Sequence, residues 1–92
     1  MKKTIWKFVM DVTDNLSIIM PKDAEILLIQ TQNDIPCLWA LVNPKAETEI
    51  RNFEMFGTGH DIIYDMSVER KFIGTFQIDK LGLVFHLFER IN

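Results

Sequence analysis

One stretch, Ala24–Val42 (AEILLIQTQNDIPCLWALV), constrains what this chain can fold into more than any other. It holds two apolar runs separated by Asn33-Asp34, and apolar runs flanking a two-residue turn of this kind mark a β-hairpin. With Asn33 and Asp34 as the loop, Gln32 pairs with Ile35, Gln30 with Cys37, Leu28 with Trp39 and Ile26 with Leu41. Thr31 then faces Pro36 in a non-hydrogen-bonded pair, so the N–H that proline lacks points away from the hairpin partner. Both arms are apolar at consecutive rather than alternate positions. The expectation is a strand pair covered on both faces, central in its domain, with Trp39 buried against Leu28.

The remaining segments also read as strands. Thr4–Val12 alternates, with Trp6, Phe8, Met10 and Val12 on one face. Leu16, Ile18 and Met20 begin a second alternating run that Pro21 ends. Glu47–Phe56 is longer and more polar, and its charges (Glu47, Glu49, Arg51, Glu54) suit an exposed edge strand. A helix competes there, because Ile50, Phe53 and Met55 do not alternate strictly. Lys71–Ile78 places Phe72, Gly74, Phe76 and Ile78 on one face; after a turn at Asp79–Gly82, Leu83–Phe88 forms the last strand. About seven short strands with turn signals predict an all-β fold, a small antiparallel β-sandwich or partly open barrel, as a single domain over residues 1–92. Such a chain leaves open sheet edges, which predicts self-association as a dimer.

Composition narrows the function. A chain of 92 residues, 48% hydrophobic and 25% charged, is ordinary for a folded domain and unlike a disordered one. A net charge of −3 disfavours nucleic acid as a partner, since phosphate-backbone binders gather Lys and Arg on one surface. Met1-Lys2-Lys3 is not followed by a long apolar run, so neither a signal peptide nor a membrane span is read, and a cytoplasmic setting is expected. The lone Cys37 cannot form an internal disulfide and reads as a small buried side chain. Cys37, His60 and His86 lack the close paired spacings of a zinc site, so no metal or cofactor is expected. His86, inside an aromatic strand, reads as a hydrogen-bonded structural histidine, and Trp6 and Trp39 as core.

The candidate site is the word Gly57-Thr58-Gly59-His60, which opens the longest irregular region, reaching Glu69. Two glycines around a threonine can align backbone N–H groups into a concave anion-binding nest, with Thr58 adding a hydroxyl and His60 a titrating donor. The same glycines can instead serve only a tight connection. The spacing is that of neither a phosphate-binding P-loop nor a dinucleotide fingerprint. Asp61 and Asp65 could do acid–base chemistry beside His60, but no nucleophile stands with its base.

The order Ile5-Trp6-Lys7-Phe8, Met20-Pro21, Cys37-Leu38-Trp39-Ala40-Leu41-Val42, Gly57-Thr58-Gly59-His60, Ile73-Gly74-Thr75-Phe76 and Phe85-His86-Leu87-Phe88-Glu89 resembles a family of small tailed-bacteriophage and prophage proteins without assigned activity. CLWALV and GTGH are its most specific words, and Asp61–Arg70 departs from the family's shorter, more regular segment. The resemblance implies a phage protein acting in the cytoplasm of an infected bacterium. In that setting the leading expectation is a non-enzymatic binding protein that antagonises a host defence process, holding a host protein or a small phosphorylated signal. A minor virion structural or assembly protein and a small enzyme on nucleotide-like substrates are the alternatives.

Overall fold

Asn33 and Asp34 both take left-handed backbone, with φ of 53° and 63°. That pair of positive angles is what a two-residue type I′ hairpin turn requires, and Asn and Asp tolerate it better than most residues. The computed structural model describes residues 1–92 and contains seven strands: β1 (Thr4–Val9), β2 (Asn15–Pro21), β3 (Glu25–Gln32), β4 (Ile35–Val42), β5 (Thr48–Gly57), β6 (Arg70–Ile78) and β7 (Leu83–Arg90). They form two antiparallel sheets, of order β1-β4-β3 and β2-β5-β7-β6, not closed into a barrel. One 3₁₀ turn, Asp79–Leu81, joins β6 to β7. No helix is long and apolar enough to cross a membrane.

The hairpin register holds from Gln32↔Ile35 through Gln30↔Cys37 to Leu28↔Trp39, and then breaks. A bulge lies between Ile26 and Leu28, so Ile26 pairs with Ala40, and Leu41 faces Glu25 instead of Ile26. Ile26 and Ile29 both pack inward, which leaves Leu27 and Leu28 side by side on the outer face. Pro36 is accommodated as its position predicts. β1 ends at the Val9↔Cys37 rung, and the next bond runs one way only, from the Met10 N–H to the Pro36 carbonyl at 2.9 Å.

The core lies between the sheets. Ile29, Leu38, Ala40 and Val42 of the first meet Met20, Phe53, Met55, Phe76, Ile78 and Leu87 of the second, all buried. β3 crosses β6 so closely that a β-carbon on Gly74 would lie 2.5 Å from the Ile29 Cγ2 methyl. Gly74 pairs with Leu87, but it is Ile29 from the other sheet that covers it. A second bulge, between Phe72 and Gly74, turns Phe72 outward, against its expected place beside Gly74.

Three further expectations are corrected. The hairpin is not covered on both sides: Leu28 is exposed and Trp39 only half-buried, because the second sheet packs on one face alone. Trp6 likewise sits at the rim, exposed, stacked at a tilt on Phe8. And Glu47–Phe56 does not form an edge strand; β5 is interior, between β2 and β7. Its charges are tolerated because they are paired. Arg51 donates to both carboxylate oxygens of Glu89, at 2.6 and 2.8 Å, and to the Ala24 carbonyl at 2.6 Å. The Glu89 hydrogen bond raises the Arg51 pKa above its ordinary value although burial works against it.

Two outcomes test this packing. Arg51→Ala should cost about 3–5 kcal/mol in urea unfolding, since it strands a buried carboxylate, whereas Arg51→Met with Glu89→Leu should recover most of the loss. Gly74→Ala should cost about 1–3 kcal/mol by overpacking. Adding Ile29→Leu, which removes the offending branch, should relieve part of that cost in a double-mutant cycle.

Candidate functional site

β5 ends at Gly57, and the chain turns through Thr58 and Gly59. The His60 N–H closes the turn on the Gly57 carbonyl at 3.1 Å. Gly59 has φ 89°, the positive angle that the third residue of a type II turn needs. Gly57 is bare for another reason: the His60 ring folds back over it, so a β-carbon there would meet His60 Cε1 at 2.8 Å. The Gly57 N–H donates to His60 Nδ1 at 3.3 Å, and the Thr58 N–H donates to the Val84 carbonyl at 3.2 Å. Of the four residues in the word, only Gly59 keeps an N–H without an internal partner. A nest needs successive N–H groups facing one point, and here they are directed into the turn and the β5–β7 ladder.

The side chains are similarly engaged. Thr58 Oγ1 lies 2.8 Å from His86 Nε2, and Thr75 Oγ1 lies 2.9 Å from His86 Nδ1. His86 is thus a bridge between two hydroxyls on the outer face of the four-stranded sheet, the structural role its sequence setting indicates. His60 is exposed and stands between two shallow grooves. One, of about 290 Å³, is lined by Asp14, Asn15, Glu54, Phe56 and Asp61; the other, of about 400 Å³, by Gly82, Leu83, Val84 and Phe85 with the turn itself. The first carries Asp14 and Asp61 beside the histidine, with Glu54 there paired to Arg70, a setting that disfavours phosphate. Asp65 does not join Asp61: its carboxylate accepts from the Ser67 hydroxyl and N–H, and the Ser67 hydroxyl is the main cause of its lowered pKa. This is an Asx-type turn that shapes the loop.

What holds the segment from His60 to Glu69 in place is Arg70, which the sequence did not single out. Its side chain is 6% exposed. The guanidinium donates to Glu54 Oε1 at 2.8 Å and to the Ile63 carbonyl at 2.8 Å. It also lies over two rings, Phe56 at 5.5 Å and Tyr64 at 5.2 Å from the centroids. The Glu54 hydrogen bond is the main cause of its raised pKa. Arg90 adds a longer contact to the same carboxylate, 3.6 Å. At the other end of the segment the Glu69 N–H donates to Asn92 Oδ1 at 2.7 Å, and its carbonyl accepts from Ile91 at 2.9 Å. On this base Ile63, Tyr64 and Met66 are exposed, as is Phe72 on β6 close after Arg70 in the chain. No periodicity links Glu54, Tyr64 and Arg70 along the chain; only the strand register brings them together.

Gly59→Val should therefore lower stability by about 1–3 kcal/mol through its positive φ alone, since nothing lies near the added carbon. Gly59→Asn should cost clearly less, because asparagine visits that region. Thermal melts of the two variants check the turn type.

No curated protein and no solved structure matches the chain. Over residues 1–92 it matches the family described as a domain of unknown function, DUF7352, and it belongs to that family.

Proposed function

We propose that this chain is a phage-encoded, non-enzymatic binding protein that acts in the cytoplasm of the infected host by holding a host protein. Its contact surface is the segment between Gly57 and Arg70 with Phe72 beside it. One observation carries this reading: a buried arginine fixes an irregular segment whose apolar side chains nonetheless face water. The Ile63 and Met66 side chains in solvent contribute nothing to the fold, and Tyr64 offers one ring face to Arg70 while staying exposed. A rigid base under exposed aromatic and thioether side chains is what a recognition loop needs, because affinity is lost when a loop must be ordered on binding. Tyrosine is among the residues that most often dominate binding energy at protein interfaces.

A protein target is favoured over a small phosphorylated signal. The turn's N–H groups are directed inward, and the groove at His60 is lined by Asp14, Glu54 and Asp61. The phage setting rests on the resemblance carried by the CLWALV and GTGH words, and antagonism of a host defence process fits that setting.

The test is capture from host extract on immobilised protein. The parent should retain a specific host protein, and Met66→Asp should lose it at an unchanged melting temperature. Thr58→Ala with His60→Ala should retain it. A nucleotide or phosphorylated compound that co-purifies with Met66→Asp but not with the double alanine variant would overturn the reading and assign the turn to a small anion.

A further inference from the structure

We propose that the host protein held by the segment between Gly57 and Arg70 meets it with a surface rich in lysine and arginine. This inference rests on the binding role proposed above and names the chemistry of the partner. The chain has 13 acidic and 10 basic residues. Three of the acids, Asp61, Asp65 and Glu69, fall between His60 and Arg70, and no lysine or arginine does. The whole surplus of negative charge, a net −3, is therefore carried by this one segment, and the rest of the chain is balanced.

These carboxylates are at the surface and no cation neutralises them. Asp61, Asp65 and Glu69 are all exposed, interspersed along the segment with the exposed Ile63, Tyr64 and Met66. The chain's ion pairs do not include them: Arg51 pairs with Glu89, and Arg70 and Arg90 pair with Glu54. Arg70, the cation next in the chain, is covered, with its guanidinium on Glu54. Arg90 donates to the Asn92 carbonyl, and Lys71 alternates to the Glu89 side of β6, opposite to Arg70 and Phe72. Asp14 adds a further carboxylate, since it lines the same groove as Asp61. Asp65 accepts from Ser67, which lowers its pKa and keeps it charged.

The chemistry of the partner follows from this arrangement. A protein that covers Ile63, Tyr64 and Met66 comes close to the acids that lie between them in the chain, and it displaces their water. A carboxylate that loses water without gaining a cation or a hydrogen-bond donor opposes binding, so an acidic or purely apolar surface is rejected. A surface with an apolar hollow among lysines and arginines satisfies both kinds of side chain. Charge of this kind also directs the encounter, because complementary potentials steer association and like charges suppress wrong partners. Since the rest of the chain is balanced, the attraction for a basic surface centres on the same segment that carries the exposed apolar groups.

The experiment divides host extract on a heparin column at low salt into a retained and a flow-through pool, and offers each to the immobilised full chain. A protein should be captured from the retained pool. Titration should show it bound about 10-fold more weakly by the triple variant Asp61→Asn, Asp65→Asn, Glu69→Gln. Asparagine at the second position keeps an oxygen for the Ser67 N–H, so the melting temperature should not move. The triple variant Asp11→Asn, Glu25→Gln, Glu47→Gln makes the same change of net charge at exposed acids elsewhere and should bind like the parent. Met66→Asp makes the segment more acidic and should still lose the protein, because the apolar centre is needed. Capture from the flow-through pool alone overturns this inference and leaves the binding role standing; capture from neither pool overturns both. Equal binding by parent and first triple variant, equal loss in the two triple variants, or tighter binding by Met66→Asp each overturns the inference as well.

Discussion

Arg51 fixes the corner at which the chain crosses from the four-stranded sheet to the three-stranded one. The chain passes from one sheet to the other after β1, after β2 and after β4, and the corner after β2 is bonded three times to β5 and the residue before it. Lys22 donates its N–H to the Glu47 carbonyl at 2.6 Å, Asp23 donates to Glu49 Oε2 at 2.9 Å, and Arg51 reaches the Ala24 carbonyl while clamped on Glu89. The opposite end is tied by Asp34, whose carboxylate accepts the N–H groups of Asp79 and Lys80 at 3.1 and 3.2 Å and so caps the 3₁₀ turn. With a core of only 12 clustered residues, alanine among them, apolar burial alone fixes the sheets' relative position loosely. Directional bonds at the corners set it.

This explains which parts of the fold were legible. The Asn33-Asp34 turn, the register through Leu28↔Trp39, the starts of the strands to within a residue and the small turn after Ile78 follow from local rules of backbone angle and pairing, whereas the first strand, read to Val12, ends at Val9. The two bulges do not, because an inserted residue in a run such as Ile26-Leu27-Leu28-Ile29 leaves no mark when every residue is apolar. That same run was read as a strand covered on both faces. Consecutive apolar residues here arise instead from a bulge, together with a face that no part of the chain covers. The charges of β5 misled for a related reason. Arg51 and Glu54 look the same in sequence whether they face water or a buried partner, and their partners, Glu89 and Arg70, lie 38 and 16 residues away.

At the candidate site the glycines were legible and their purpose was not. Gly57-Thr58-Gly59-His60 announces unusual backbone, and both glycines are required, one by a positive φ and one by the ring lying on it. Whether such a turn offers its N–H groups to a ligand depends on what else competes for them. Here Val84 and the His60 ring do, and Val84 comes within reach only through the β5–β7 pairing. Arg70 escaped notice because a lone arginine next to a lysine reads as a solvated surface charge. Its burial is created by Phe56, Tyr64 and Glu54 converging from three separate stretches of chain.

The two sheets meet the same difficulty in different ways. In a two-layer fold every strand turns one side outward, and a small chain has little material with which to cover it. The four-stranded sheet has such material. Its aromatic row, in which Phe88 packs edge-on against Phe56 and Phe72, lies beside the residues that Arg70 draws down from the segment after Gly57. The three-stranded sheet has none, since its hairpin loop is two residues long and its links to the other sheet are short. Polar side chains would be the inexpensive solution for that face, and Gln30, Gln32 and Lys7 occupy part of it. Ile5, Val9, Leu27 and Leu28 occupy the rest, where in an isolated monomer they add nothing to stability. The chain thus puts its own covering segment on the four-stranded sheet and leaves the outer face of the three-stranded sheet apolar and open.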